Sequence, residues 1–122
     1  MIDSNYAEHF SGDNGLDCAK RKIIAKFPTG ETKEIIIRLG HPFVKDQDSE
    51  SRAVRVELDG LEAVMRPIMG IDGFQAIAEG IAFIVARLED YVEKGICSFF
   101  WPDSDEPFDP KTLALRLHKQ QV

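Results

Sequence analysis

Apolar and polar residues alternate through the first half of the chain, and apolar residues recur every three to four positions in the second. This pattern predicts strands first and a helix after them. Ile23 to Phe27 is a run of β-branched and aromatic residues and predicts a first strand. Phe27-Pro28-Thr29-Gly30 suits a tight turn, with proline fixing φ and glycine free to take the left-handed geometry of a hairpin. Thr32 to Leu39 is the return strand, with Ile35, Ile37 and Leu39 on one face and Glu34, Ile36 and Arg38 on the other. Gly40-His41-Pro42 stops it, and Lys45 to Ser51 is a polar loop. Arg52 to Leu58 alternates again: Val54, Val56 and Leu58 point one way, Ala53, Arg55 and Glu57 the other, as in a half-buried antiparallel strand. Asp59-Gly60 predicts a hairpin turn, with Glu62 to Met69 returning as a fourth strand. Pro67 lacks an N–H and marks that strand as an edge.

Asp72 to Lys94 predicts a long helix. Asp72 and Gln75 have the spacing of a capping box, and Gly95 follows Lys94 as a C-terminal stop. At 100° per residue, Phe74, Ile77, Ala78, Ile81, Val85, Leu88 and Val92 fall within about a third of the circumference, which predicts the buried stripe. Ile96 to Trp101 predicts a fifth strand. Asp109-Pro110 has the form of a second helix start. Leu113, Leu115 and Leu117 also alternate, so the last segment reads as either a short helix or a strand. The order β-β-β-β-α-β predicts an α+β fold: an antiparallel sheet of about five strands with one long helix packed on one face.

The 122 residues predict a single domain, 1–122. Residues 4–17 are rich in Ser, Asn, Gly and Asp, so 1–17 read as a loop or flexible lead-in. The core is expected over 18–101, followed by an acidic loop and tail over 102–122. Fifteen bases against 21 acids give a net charge of −6. That argues against a chain whose main work is gripping nucleic acid or an anionic membrane, since both demand a basic face. No apolar run reaches the roughly 18 residues that span a bilayer. MIDSNYAEHF has neither the basic nor the apolar region of a signal peptide, and a cytoplasmic protein is expected. Cys18 and Cys97 do not form a disulfide framework and are expected to be reduced.

Groups that carry chemistry are sparse. His9, His41 and His118 lie in unrelated segments without metal-ligand spacing. Counted from Asp103, the sixth and twelfth positions of an EF-hand loop fall on Phe108 and Ala114 instead of Gly and Glu. Cys97 sits in a packed strand sequence, and Cys18 beside Lys20, Arg21 and Lys22 has no marked pocket. No phosphate-cradling glycine loop, nucleophile elbow or His-Glu-x-x-His occurs. No catalytic residue, cofactor or metal ligand is therefore expected, and the chain reads as non-enzymatic.

Two features point to contact with other proteins. Phe83 lies opposite the predicted stripe, and Ala76, Gly80 and Arg87 surround it. Small residues four apart let another backbone approach closely, whether a second copy, a partner, or the chain's own tail. Phe99 and Trp101 share one face of the fifth strand and Phe100 takes the other, which leaves an aromatic to be covered by a partner or a second small core. Ala76, Gly80, Phe83, Arg87 and Phe100 form the expected interaction surface, and self-association as a homodimer is one expected use of it.

The stretch Pro67-Ile-Met-Gly-Ile-Asp-Gly-Phe-Gln-Ala-Ile77 resembles a family of small, uncharacterised bacterial proteins. In that family a strand pair leads into a Gly-[Ile/Val]-Asp-x-x-Gln-Ala-[Leu/Ile] helix start and a long apolar helix. The resemblance spans about residues 20–100, with its specific part from Gly70 to Ile77. Gly73 departs from the small polar residue of the pattern. The resemblance implies a bacterial, cytosolic, small α+β domain and brings no activity or catalytic residues. The expected function is a protein-interaction module, in one concrete form an immunity or antitoxin-like protein whose acidic surface meets a basic partner. The competing expectation is a small-ligand binder or minor enzyme with a pocket between helix and sheet.

Overall fold

A computed structural model of the chain describes residues 17–44, 50–62 and 67–114. The expectations for residues 1–16, for the loop over 45–49, for the strand over 63–66, for His9 and His118, and for Leu115 and Leu117 lie outside the described residues.

The fold is α+β. Strands β1 (Asp17–Lys26), β2 (Thr32–Gly40), β3 (Arg52–Val54), β4 (Val56–Asp59) and β5 (Ile68–Gly70) precede the helix α1 (Gly73–Glu93). Strand β6 (Ser98–Phe100) and a 3-10 turn over Pro110–Leu113 follow it. Four strands form an antiparallel sheet in the order β4-β2-β1-β6, and β3 pairs with β5 in a second, two-stranded sheet.

The first hairpin forms as its turn residues dictate: Gly30 N–H donates to the Phe27 carbonyl at 2.8 Å, and Phe27 N–H to the Glu31 carbonyl at 2.9 Å. Strand β1 begins well before Ile23, because its pairing with β2 runs from Ile23↔Ile35 back through Arg21↔Ile37 and Ala19↔Leu39. The backbone ladder continues there although the side chains are polar and mostly exposed.

The expected third strand is corrected. Its apolar alternation holds, with Val54, Val56 and Leu58 all buried, but the strand pairing breaks at Arg55, whose carbonyl accepts from Gly40 N–H at 2.8 Å, and the two halves join different sheets. Asp59-Gly60 does turn the chain, with both Leu61 and Glu62 N–H groups on the Leu58 carbonyl. The returning strand, however, pairs with β3 instead of β4.

The ends of α1 follow the sequence. Asp72 Oδ1 accepts from Gln75 N–H at 2.9 Å, and Gln75 Oε1 accepts from Ile71 N–H at 2.7 Å. At the other end Gly95 takes φ +72°, its N–H donates to the Val92 carbonyl, and Ile96 N–H reaches the Tyr91 carbonyl. Glycine tolerates this left-handed cap without a Cβ penalty. Asp109 likewise caps the 3-10 turn, accepting from Lys111 N–H at 3.0 Å, with Pro110 in its first position.

The core lies between the helix and the sheets. Ile23, Ala25, Ile35, Ile37, Leu39, Val54, Val56 and Leu58 meet Ala76, Ile84 and Leu88, with Cys97, Phe99 and Phe108 closing one side. Trp101 packs edge-on against Phe108, ring centroids 5.0 Å apart. No helix among the described residues is long and apolar enough to cross a membrane.

Candidate functional site

The helix presents a different face to the sheets from the one its large apolar residues predict. Its buried positions are Ala76, Gly80, Ile84 and Leu88, a row of i, i+4 neighbours. At 100° per residue this row is turned by roughly 90° from the predicted stripe, with Leu88 common to both. The expected interaction surface is corrected accordingly. Ala76 is fully buried, and Gly80 lies against Val54, Leu39 and Val56. The small residues mark where the helix comes closest to its own sheets, so they are not available to a second copy. Phe83 is half-buried and packs against the same core.

Arg87 is engaged within the chain itself. Its Nη2 donates to Glu62 Oε2, and the Tyr91 hydroxyl donates to the same oxygen at 2.7 Å. Asp90 adds a further carboxylate 3.7 Å from Arg87 Nη1 and pairs with Lys94 at 3.1 Å. This network fastens the segment after β4 to α1. Burial, then the hydrogen bond to Glu62, push the Tyr91 phenol up to about 12. Phe100 takes the sheet face away from the helix, as the alternation predicts. There it is half-buried, opposite Ile24 and bridged to Pro107, with Lys26 over its ring.

Rotating the helix moves exposed apolar surface to its first turn. Phe74, predicted in the core, is 88% exposed. Ile71 is 69% exposed and Met69 44%, so three large apolar side chains within six residues face solvent where β5 leads into α1. The Asp72–Gln75 capping box holds this corner in one backbone geometry. Sequence reasoning missed it because Phe74 sits near the centre of a convincing stripe. The signal that could have found it is Ile71, a β-branched apolar residue in a connection otherwise made of Gly and Asp.

The described residues hold little reactive chemistry. Cys97 is buried, and burial pushes its thiol above the usual range, away from the thiolate form. Cys18 is exposed and unbridged. Arg38 on β2 is buried with Asp17 at 2.6 Å and Glu57 at 3.8 Å. Glu57 is nonetheless raised, chiefly by burial and then by the Asp59 charge. This cluster lies on the side of the sheet away from α1, because Arg38 alternates with Ile37 and Leu39. Among the described residues no group of three or more His, Cys, Asp or Glu side chains has the arrangement of a metal site. No protein-family model, no curated protein and no solved structure matches the chain.

Proposed function

We propose that the chain is a protein-interaction module that docks its partner at the start of α1, through Met69, Ile71 and Phe74. The observation that carries this reading is the exposure of Phe74. An almost bare phenyl ring on a rigidly capped helix turn costs solubility and contributes nothing to its own core. Aromatic side chains are frequent anchors of interfaces. The neighbouring Ile71 and Met69 supply the apolar surround that excludes water from such an anchor. The net charge of −6 favours a basic partner, by speeding encounter and disfavouring acidic competitors. An immunity or antitoxin-like role is the concrete form of this reading.

Photocrosslinking tests it. Benzoyl-phenylalanine replaces Phe74 in one chain and the exposed Lys33, on the remote hairpin, in another. The expected result is one protein crosslinked from position 74, absent from position 33 and lost when Ile71→Asp is added. Equal adducts from both positions, or none from position 74, would reject the reading.

A further inference from the structure

A groove of about 210 Å³ opens between the sheet and α1. Its floor is Ile37 and Leu39, its helix wall Ile81 and Ile84, and Leu113 of the 3-10 turn borders it. Two cations, Lys20 and Arg21, border the groove, and strand register turns Arg21 to its apolar side and Lys20, paired with Arg38, to the other. Ala19 pairs directly opposite Leu39 and Arg21 opposite Ile37, so their side chains rise towards the helix. Arg21 lies with its guanidinium carbon 5.2 Å from the centroid of the Trp101 ring. Among the described residues no carboxylate forms an ion pair with it, although the chain carries 21 acids. An exposed guanidinium held on an indole face, at the rim of an aliphatic groove, has the chemistry to receive a carboxylate attached to an apolar chain.

We infer that this groove binds a small amphipathic carboxylate. Its aliphatic chain lies among Ile37, Leu39, Ile81 and Ile84, and its carboxylate meets Arg21. The volume limits the chain: a cavity of about 150 Å³ holds benzene, so this groove in proportion takes about eight carbon atoms. The site stands apart from the proposed protein-docking corner, and either can fail without the other.

Trp101 is the only tryptophan and lies beneath Arg21, so it reports directly on the site. The test is titration of the full chain with sodium octanoate, followed by Trp101 emission. A saturable change is expected. Arg21→Gln should weaken it about tenfold, as expected for losing a charge-assisted hydrogen bond. Octanol should bind the wild type at least as weakly, and acetate should give no change. Ala19→Leu, which fills the groove from an exposed position, should abolish the response. Arg21 and Ala19 are both solvent-exposed, and unchanged thermal unfolding of the variants confirms that they fold. No saturable response to octanoate, equal affinity in Arg21→Gln, or equal binding of octanol and octanoate would each overturn the inference.

Discussion

Gly80 of α1 lies directly over Val54 of β3: a Cβ on Gly80 would stand 2.8 Å from Val54 Cγ2 and 3.0 Å from Leu39 Cδ1. Val54 is β-branched, stiff at χ1 and fully buried, so it yields little. This contact fixes which face of the helix meets the sheets, and it decides the sign of a simple experiment. On an exposed helix face, Gly80→Ala would stabilise by about 1 kcal/mol through helix propensity. Against Val54 it overpacks the core at a cost of roughly 1–3 kcal/mol. A net loss of about 1 kcal/mol is expected. A higher urea midpoint in the variant would show that the glycine is not at a closest approach.

Phe74→Ser should leave stability within about 0.5 kcal/mol of wild type, as for surface positions without special contacts. Had Phe74 been part of the core, truncation would cost roughly 3–5 kcal/mol. Chemical denaturation distinguishes the two outcomes plainly, and it also shows whether the variant is fit for binding experiments.

Asp72→Ala should cost about 1 kcal/mol, because the Gln75 N–H loses its acceptor. Gln75→Ala removes the reciprocal bond to Ile71 N–H, so the double variant should lose less than the sum of the two. Strict additivity in urea midpoints would mean that the two bonds do not act as a box.

Tyr91 should titrate at about 12 in the folded chain, above the ordinary phenol value near 10. The folded state then holds its proton more tightly than the unfolded state. The associated stability is present below pH 10 and is lost as pH rises towards about 12. Tyrosinate absorbance in a Tyr6→Phe background isolates this group. Glu62→Gln removes a charge that raises the pKa and should bring the midpoint down. An unchanged midpoint would remove Glu62 from the network.

Iodoacetamide should alkylate Cys18 and spare Cys97 in the native chain, and modify both after denaturation. The native mass without reductant should correspond to two free thiols. Two rapid adducts in the folded state would place Cys97 at the surface.

The sequence by itself determined the elements whose causes are local. The Phe27–Gly30 turn, the Asp72–Gln75 cap, the Gly95 stop and the Asp109-Pro110 start all depend on bonds between residues a few positions apart, and each stands where its residues demand. The α+β class followed from the same order of elements. Tertiary structure decided what depends on distant partners. Val54 and Val56 belong to one alternating run, yet the break in strand pairing at Arg55 places them in different sheets. Pairing with β2 extended β1 back to Asp17 through residues with little strand propensity. The candidate site was the least legible part, for a physical reason. Hydrophobic periodicity weights a face by the size of its apolar side chains, whereas close packing selects the face whose residues fit. Ala76 and Gly80 let the helix settle onto Val54 and Leu39, and that rotation left Phe74 in solvent. Which apolar residues a helix hides was therefore settled by the shape of the sheets beneath it, which no local pattern encodes.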